Sequence, residues 1–292
     1  MDHQTTILTN HILGTACMHL MGIKLYELCD RPESFQTRQG IRRAILKYKD
    51  RTEKYRSTTP QDIMLKAASL LRDAREEGFE YIPLSGINKL FNPVENYRAT
   101  MNTFPGVFVA TKNVDALRES MRNPTLAIIG TRDMSPYGKD QTHHLVYNNA
   151  NKTIITGFSL GISEMAIKNA LDNGTPVIAV SAAGAGNIYP AAMREFHERL
   201  KTTPGCAVVT PYFPDEAPMA INFLLRNHLI ALADETVVVE AKAKGGAIVT
   251  ARLAYDFGKR SVKAIPGRIN DIRSSGCNQL IKEGIAEIIT NL

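Results

Sequence analysis

Four short stretches of this 292-residue chain set glycines beside hydroxyls or cations in the way that anion-binding loops do. Gly130, Thr131 and Arg132 close the apolar run Leu126-Ala127-Ile128-Ile129 and precede the turn Ser135-Pro136. A glycine lets backbone come close to a ligand, the N-terminus of the next helix offers free N–H groups, and a guanidinium offers paired donors. Together they suit a phosphate. In Thr156-Gly157-Phe158-Ser159-Leu160-Gly161-Ile162-Ser163 two glycines lie four apart, with Ser163 able to cap a helix beginning at Glu164. Glu240-Ala241-Lys242-Ala243-Lys244-Gly245-Gly246 places paired glycines at a helix start beside two lysines, and Pro266-Gly267-Arg268 is a turn carrying a cation. Each alone is also an ordinary strand-to-helix turn, and none has the G-x-G-x-x-G spacing of a dinucleotide site. Four on one sheet edge predict a phosphate-lined groove.

Acid–base, nucleophilic and metal chemistry find no assembled set. The seven histidines fall into no metal spacing, His143-His144 reads as a solvated or packed pair, and neither a G-x-S-x-G elbow nor a P-loop is present. Glu240 is the one carboxylate placed as a general base would be, and it lacks a partner group. Cys17, Cys29, Cys206 and Cys277 are far apart without a C-x-x-C pair, which argues against a zinc site or disulfide framework and for a reducing compartment. No metal, no cofactor and no catalytic residue are predicted.

These loops need strands and helices to hold them. From Pro124 onward, apolar strands are predicted at Leu126–Ile129, Thr153–Thr156, Val177–Val180, Ala207–Thr210, Thr236–Glu240, Val262–Ile265 and Glu287–Thr290, with segments of helix length between them. Repeated βα units give a doubly wound, largely parallel α/β sheet, which binds ligands at the carboxyl ends of its strands. Residues 1–78 read as a small helical domain with helices over Ile7–Leu28, Gln39–Tyr55 and Gln61–Glu77. Thr59-Pro60 is the start signal of the last and Gly78 its stop. Residues 79–292 form the second domain, entered through a Pro- and Gly-bearing lead-in with one strand candidate, Gly106–Ala110, expected to cover one sheet edge.

Composition narrows the partner class. At 44% hydrophobic and 22% charged the chain is ordinary globular protein, and the absence of Trp with only 7% aromatics argues against a multi-aromatic stacking platform. The N-terminus has no basic region, and the apolar tract Ile12–Ile23 is broken by Thr15, His19 and glycines, so neither a signal peptide nor a membrane span is predicted. A cytoplasmic location follows. The net charge is +6. Between Arg38 and Arg56 lie Arg38, Arg42, Arg43, Lys47, Lys49, Arg51, Lys54 and Arg56 against Asp50 and Glu53, enough to account for that whole excess. A solvated helix face is the simpler reading and a nucleic-acid patch the alternative.

In order and spacing, "AIIGTR", "ITGFSLGISEMAIKNAL", "PVIAVSAAGAGNIYP", "NFLLRNHLIALADETVVVEAKAKGGAIVTARLAYDFGKRSVKAIPG" and "GCNQLI" resemble the DprA/Smf family of DNA-processing proteins, as does the upstream "FEYIPLSGINKLFNPVENYRATMNTFPGVFVATKN". The resemblance covers roughly residues 79 to 290. It implies an extended Rossmann-like fold that binds single-stranded DNA as a homodimer and loads a RecA-type recombinase during DNA uptake or transformation, in a family not known as enzymes. It implies DNA or phosphate contacts from Gly130, Thr131 and Arg132; from Gly157, Ser159 and Gly161; from Arg194; from Arg226 and Asn227; and from Lys242 or Lys244 with Gly245 and Gly246. Tyr189-Pro190, Glu240-Ala241, Pro266-Gly267 and Gly276-Cys277-Asn278 complete the match. The chain departs from the family at Ser163 (aspartate), Ile167 (histidine), His228 (arginine) and Gly245 (serine), which marks a divergent branch. It ends at Leu292 without the winged-helix domain many members carry. Two other readings remain: a nucleoside-monophosphate hydrolase, although Lys244–Thr250 lacks that class's proline and glutamate, and a nucleotide-sensing module.

Overall fold

The computed structural model describes residues 3–23, 35–83, 104–257 and 261–291. Cys29, much of the lead-in and the end of the first predicted helix lie outside them. Nine strands form one sheet: β1 (Phe79–Pro83), β2 (Gly106–Ala110), β3 (Thr125–Ile129), β4 (Thr153–Gly157), β5 (Val177–Val180), β6 (Ala207–Thr210), β7 (Glu235–Val238), β8 (Ser261–Ala264) and β9 (Glu287–Ile288). Their order across the sheet is β1-β2-β6-β5-β4-β3-β7-β8-β9. β1–β2 and β2–β6 pair antiparallel and every other pair is parallel, which is the doubly wound Rossmann-like architecture.

Ten α-helices flank it: α1 (His3–Leu20), α2 (Arg38–Tyr48), α3 (Pro60–Glu76), α4 (Val114–Ser120), α5 (Pro136–Asn148), α6 (Ile162–Asn173), α7 (Arg194–Thr202), α8 (Ala220–Ile230), α9 (Gly246–Asp256) and α10 (Ser275–Lys282), counted among the described residues. The central strand β3 shows why helices must cover both faces. All five of its residues are buried, and strand alternation sends Leu126 and Ile128 into one hydrophobic cluster and Ala127 and Ile129 into another. The first cluster holds Leu145, Ile162 and Leu200 from α5, α6 and α7 together with the inner faces of α1 to α3. The second holds Leu117, Leu229, Ile248 and Leu280 from α4, α8, α9 and α10.

The chain fills the sheet outward from β3 to β6, crosses back through α8, and continues through β7 to β9 on the other side of β3. The strand order therefore reverses between β3 and β7. At such a switch point the flanking helices lie on opposite faces and leave a crevice at the carboxyl ends of the strands.

The helical segment differs in detail from its sequence reading. α1 stops at Leu20, followed by Gly22 with φ +71°. α2 stops at Tyr48, and Lys49–Arg51 and Glu53–Tyr55 are separate 3₁₀ turns rather than one helix to Tyr55. Thr59 caps α3 by accepting the Asp62 N–H, and Gly78 ends it with φ +82°. β1 was not anticipated: Phe79, Tyr81 and Pro83 turn inward while Glu80 faces solvent, and with β2 this short strand forms the sheet edge.

Candidate nucleic-acid interface

The loop after β3 is built by Glu240, which lies 105 residues away in sequence. The Glu240 backbone carbonyl accepts the Thr131 N–H at 2.7 Å, and the Thr131 carbonyl accepts the Ile162 N–H at 3.1 Å, fastening the β3, β7 and α6 loops together. The Glu240 carboxylate accepts the Ser135 N–H at 3.0 Å on Oε2 and the Ser135 hydroxyl at 2.5 Å on Oε1. Ser135 Oγ in turn accepts the Gly138 N–H at 3.1 Å, capping α5. Glu240 is 2% exposed. It is therefore not a groove-lining base: it is a buried strut, and its charge already occupies the N-terminus of α5, where a ligand anion would otherwise sit.

Packing explains the glycines. A Cβ on Gly130 would stand 2.5 Å from Ile162 and 2.9 Å from the Glu240 carbonyl. Gly161 has φ +79°, and a Cβ there would meet Thr131 O at 2.4 Å and Arg132 Cα at 2.6 Å. Gly157 is different. Its backbone needs no special φ, but a Cβ would lie 2.3 Å from Arg226 Nη1, so the missing side chain is the passage through which that guanidinium reaches the cavity.

Arg226, from α8, is 6% exposed. Its Nη1 donates to the Val180 carbonyl at 2.5 Å, at the end of β5, and its Nε has no hydrogen-bond partner among the described residues. Burial, followed by the neighbouring Arg132 charge, pulls its pKa down to about 10. Arg132 and Arg226 approach the same ring, their guanidinium carbons 5.0 and 5.8 Å from the centroid of Phe223. Two cations held together, one of them buried and without a carboxylate partner among the described residues, make a site that suits an anion.

These groups line one cavity of about 360 Å³ at the β3/β7 crevice. Gly130, Thr131, Arg132, Gly157, Ser159, Arg226, Asn227, Lys242, Gly245 and Gly246 all face it. Gly161, Arg194 and Lys244, named with them from sequence, do not: Gly161 shapes the loop from behind, Arg194 is exposed on the first turn of α7, and Lys244 is exposed at the turn before α9. Lys242 Nζ lies 3.9 Å from Asp133, the one carboxylate lining the cavity, and both are largely exposed. α9 begins at Gly246 and its N-cap, Gly245, supplies no side-chain cap, so the N-terminus of this helix is open to the cavity while that of α5 is closed by Glu240.

Sequence reasoning missed Phe223, Thr250 and Ser163, which also line the cavity. Ser163, where the family has an aspartate, adds no charge to the wall at that position. Ile167 is fully buried in the core, and His228 is half-buried outside the cavity. Beyond Phe223 stands Tyr189, 43% exposed, its ring centroid 6.0 Å away at 73°. No group of three or more His, Cys, Asp or Glu able to hold a metal occurs among the described residues.

Fold and cavity together define an open α/β protein with a cationic cavity at its switch point. The chain belongs to the DNA recombination-mediator protein A family, whose model matches residues 99–292. The DNA processing protein DprA of Streptococcus pneumoniae is 34% identical over 173 residues, which are 59% of this chain and 60% of that protein. DprA of Bacillus subtilis is 27% identical over 232 residues (76% of this chain, 72% of that one), and protein Smf of Escherichia coli 34% over 201 (65% and 51%). The X-ray structure of the S. pneumoniae protein matches with a TM-score of 0.63 at 26% identity, covering 93% of this chain and 96% of that one. DprA from Helicobacter pylori, described for its single-stranded DNA binding mode, matches with a TM-score of 0.61 at 28% identity over 74% and 93%.

Proposed function

We propose that this protein binds single-stranded DNA through its phosphates at the β3/β7 crevice and delivers it to a RecA-type recombinase. The observation that carries this reading is Arg226: a guanidinium buried with a free Nε, beside a second arginine, above an uncapped helix N-terminus. A backbone phosphate supplies the charge and the acceptors that this arrangement lacks. The relatives' names and the DNA-binding mode of the H. pylori protein support the same partner. The contacts fall to Arg132, Arg226, Asn227, Lys242 and the Gly130, Gly157 and Gly245-Gly246 backbone, with Arg194 and Lys244 reaching further along a strand.

We read the chain as a binding protein in the cytoplasm, acting as a homodimer. Residues 1–78 are taken as a helical unit set against the β1 edge, and 79–292 as the Rossmann-like unit. Among the described residues Glu240 is the one fully buried carboxylate, and its bonds to Ser135 leave it no base to be. No described helix is long and apolar enough to cross a membrane.

Fluorescence anisotropy with single- and double-stranded oligonucleotides across a salt series, beside a nucleotide-hydrolysis assay, tests the reading. A polyanion track gives a log–log slope of magnitude about 0.7 per phosphate neutralised, with several phosphates counted and mononucleotides bound far more weakly. Saturable hydrolysis of a nucleoside monophosphate with the slope of a single contact would overturn it.

A further inference from the structure

The basic segment following α2 does not lie on a remote face. β1 is antiparallel to β2, and β2 to β6, so β1 runs in the direction of the parallel strands and begins at their amino edge. α3 enters β1 through Gly78 and packs along it, which puts the start of α3, and the 3₁₀ turns before it, at the carboxyl edge. Electrostatics agrees: the Lys54 charge acts on the carboxyl of Glu216, in the loop that follows β6.

From there the surface runs on to the cavity through direct contacts. The Glu216 carbonyl accepts the Gly184 N–H at 2.9 Å, and Asn187 Nδ2 donates to the Pro214 carbonyl at 3.0 Å, so the loops after β5 and β6 are laced together. The β5 loop ends in Tyr189, against Phe223, which underlies Arg132 and Arg226. Arg38, Arg43, Lys47 and Lys54 are exposed and form no ion pair among the described residues. Arg43 and Lys47 stand one turn apart on α2, and Lys47, Arg51 and Lys54 lie over the rings of Tyr48 and Tyr55, which anchor their stems. Asp50, Glu53 and Asp215 oppose them, as does Glu216, whose pKa burial raises while the bond its carboxylate accepts from the Phe213 N–H acts the other way.

We propose that the ridge Arg43–Lys47–Lys54 is a second phosphate-binding surface, which receives the continuation of the single strand seated at the β3/β7 crevice. This rests on the reading of that crevice as a DNA site. The composition of the ridge, long cations on a helix and two tight turns with no pocket between them, suits a flexible polyanion read by charge alone. It gives the strand a path across the β5 and β6 loops.

The test is the triple variant Arg43→Gln, Lys47→Gln, Lys54→Gln in the full chain, titrated beside wild type and Arg132→Ala. The probes are oligothymidines of about 6 nucleotides, within the footprint of one compact site, and about 30. The expected result is wild-type affinity for the short probe, at least tenfold weaker binding of the long one, and a salt slope for the long probe smaller by about 2. Arg132→Ala weakens both probes. Equal affinities and slopes for wild type and the triple variant would overturn the ridge and leave the crevice intact, whereas absence of any single-strand binding by wild type would overturn both. Capture by phosphatidylglycerol vesicles that the triple variant loses, with its oligonucleotide slope unchanged, would assign the ridge to a lipid surface and equally overturn the proposal.

Discussion

Ser135 and Glu240 are joined by two hydrogen bonds, and through them the first turn of α5 is fixed to the end of β7 across the switch point of the sheet. Glu240 thereby holds the loop bearing Arg132 at both ends, its carbonyl at Thr131 and its carboxylate at Ser135. The shape of that loop therefore depends on a carboxylate that does not itself line the cavity.

Glu240→Gln replaces an acceptor-only group by one whose amide meets two donors from Ser135. The variant is expected to lose about 1–3 kcal/mol of stability in urea denaturation and to bind single-stranded DNA more weakly at a temperature where it is folded. A variant of native stability and affinity would show that the strut is dispensable.

The two arginines should separate in their effects on stability. Arg132→Ala leaves a folded protein whose affinity falls roughly 10- to 100-fold, as one charged contact of about 1–3 kcal/mol implies. Arg226 is held against burial, its pKa lowered to about 10, which amounts to a cost on the order of 3 kcal/mol in the unliganded protein. Arg226→Met removes that charge and one bond to Val180. Thermal melting should show it at least as stable as wild type, with binding lost and with no rise in Tm when oligonucleotide is added.

Gly157 and Gly161 are expected to fail in different ways. Alanine at Gly157 collides with the movable end of Arg226, so the protein folds and loses affinity; alanine at Gly161 meets backbone at a φ of +79° and destabilises the fold by more than about 1 kcal/mol. Circular dichroism melts beside anisotropy distinguish the two. Folded Gly161→Ala with native Tm would remove the argument from positive φ.

His19 supplies a pH dependence. Its ring, half-buried, lies against Phe213, 5.0 Å between centroids, its Nδ1 is 3.1 Å from the Tyr81 hydroxyl, and desolvation pulls its pKa down to about 3. Between its unfolded value near 6.5 and about 3 the unfolded chain holds one more proton than the folded one, so stability falls as pH falls through this window, by up to about 1.4 kcal/mol per pH unit. Urea midpoints from pH 7 to 4 should drop less steeply in His19→Gln. His11 and His197, also lowered by burial, contribute in the same direction and remain in both proteins. Parallel curves for the two proteins would show that His19 is not a source of acid lability.

Much of the sheet was legible because its strands are apolar on both sides and short: Leu126–Ile129, Val177–Val180 and Ala207–Thr210 can be nothing else between helices of this length. β1 was not, because Phe79–Pro83 alternates over too few residues and ends in proline. The premature end of α2 carries no glycine or proline to announce it. Arg132 was visible at a strand end beside a glycine and Arg226 through the family resemblance, whereas Phe223 sits in the apolar run Phe223-Leu224-Leu225 and reads as core. Glu240 looked like a base because a sequence shows a carboxylate at a strand end but not the serine that occupies it.

The crossover helix α8 is the covalent link between the two halves of the sheet, and Arg226 rises from it to grip the Val180 carbonyl at the end of β5. The side chain proposed to receive a phosphate thus also ties the crossover helix to the end of β5. Amide exchange in Val180 to Ala183 is expected to slow when single-stranded DNA is added, although none of these residues lines the cavity.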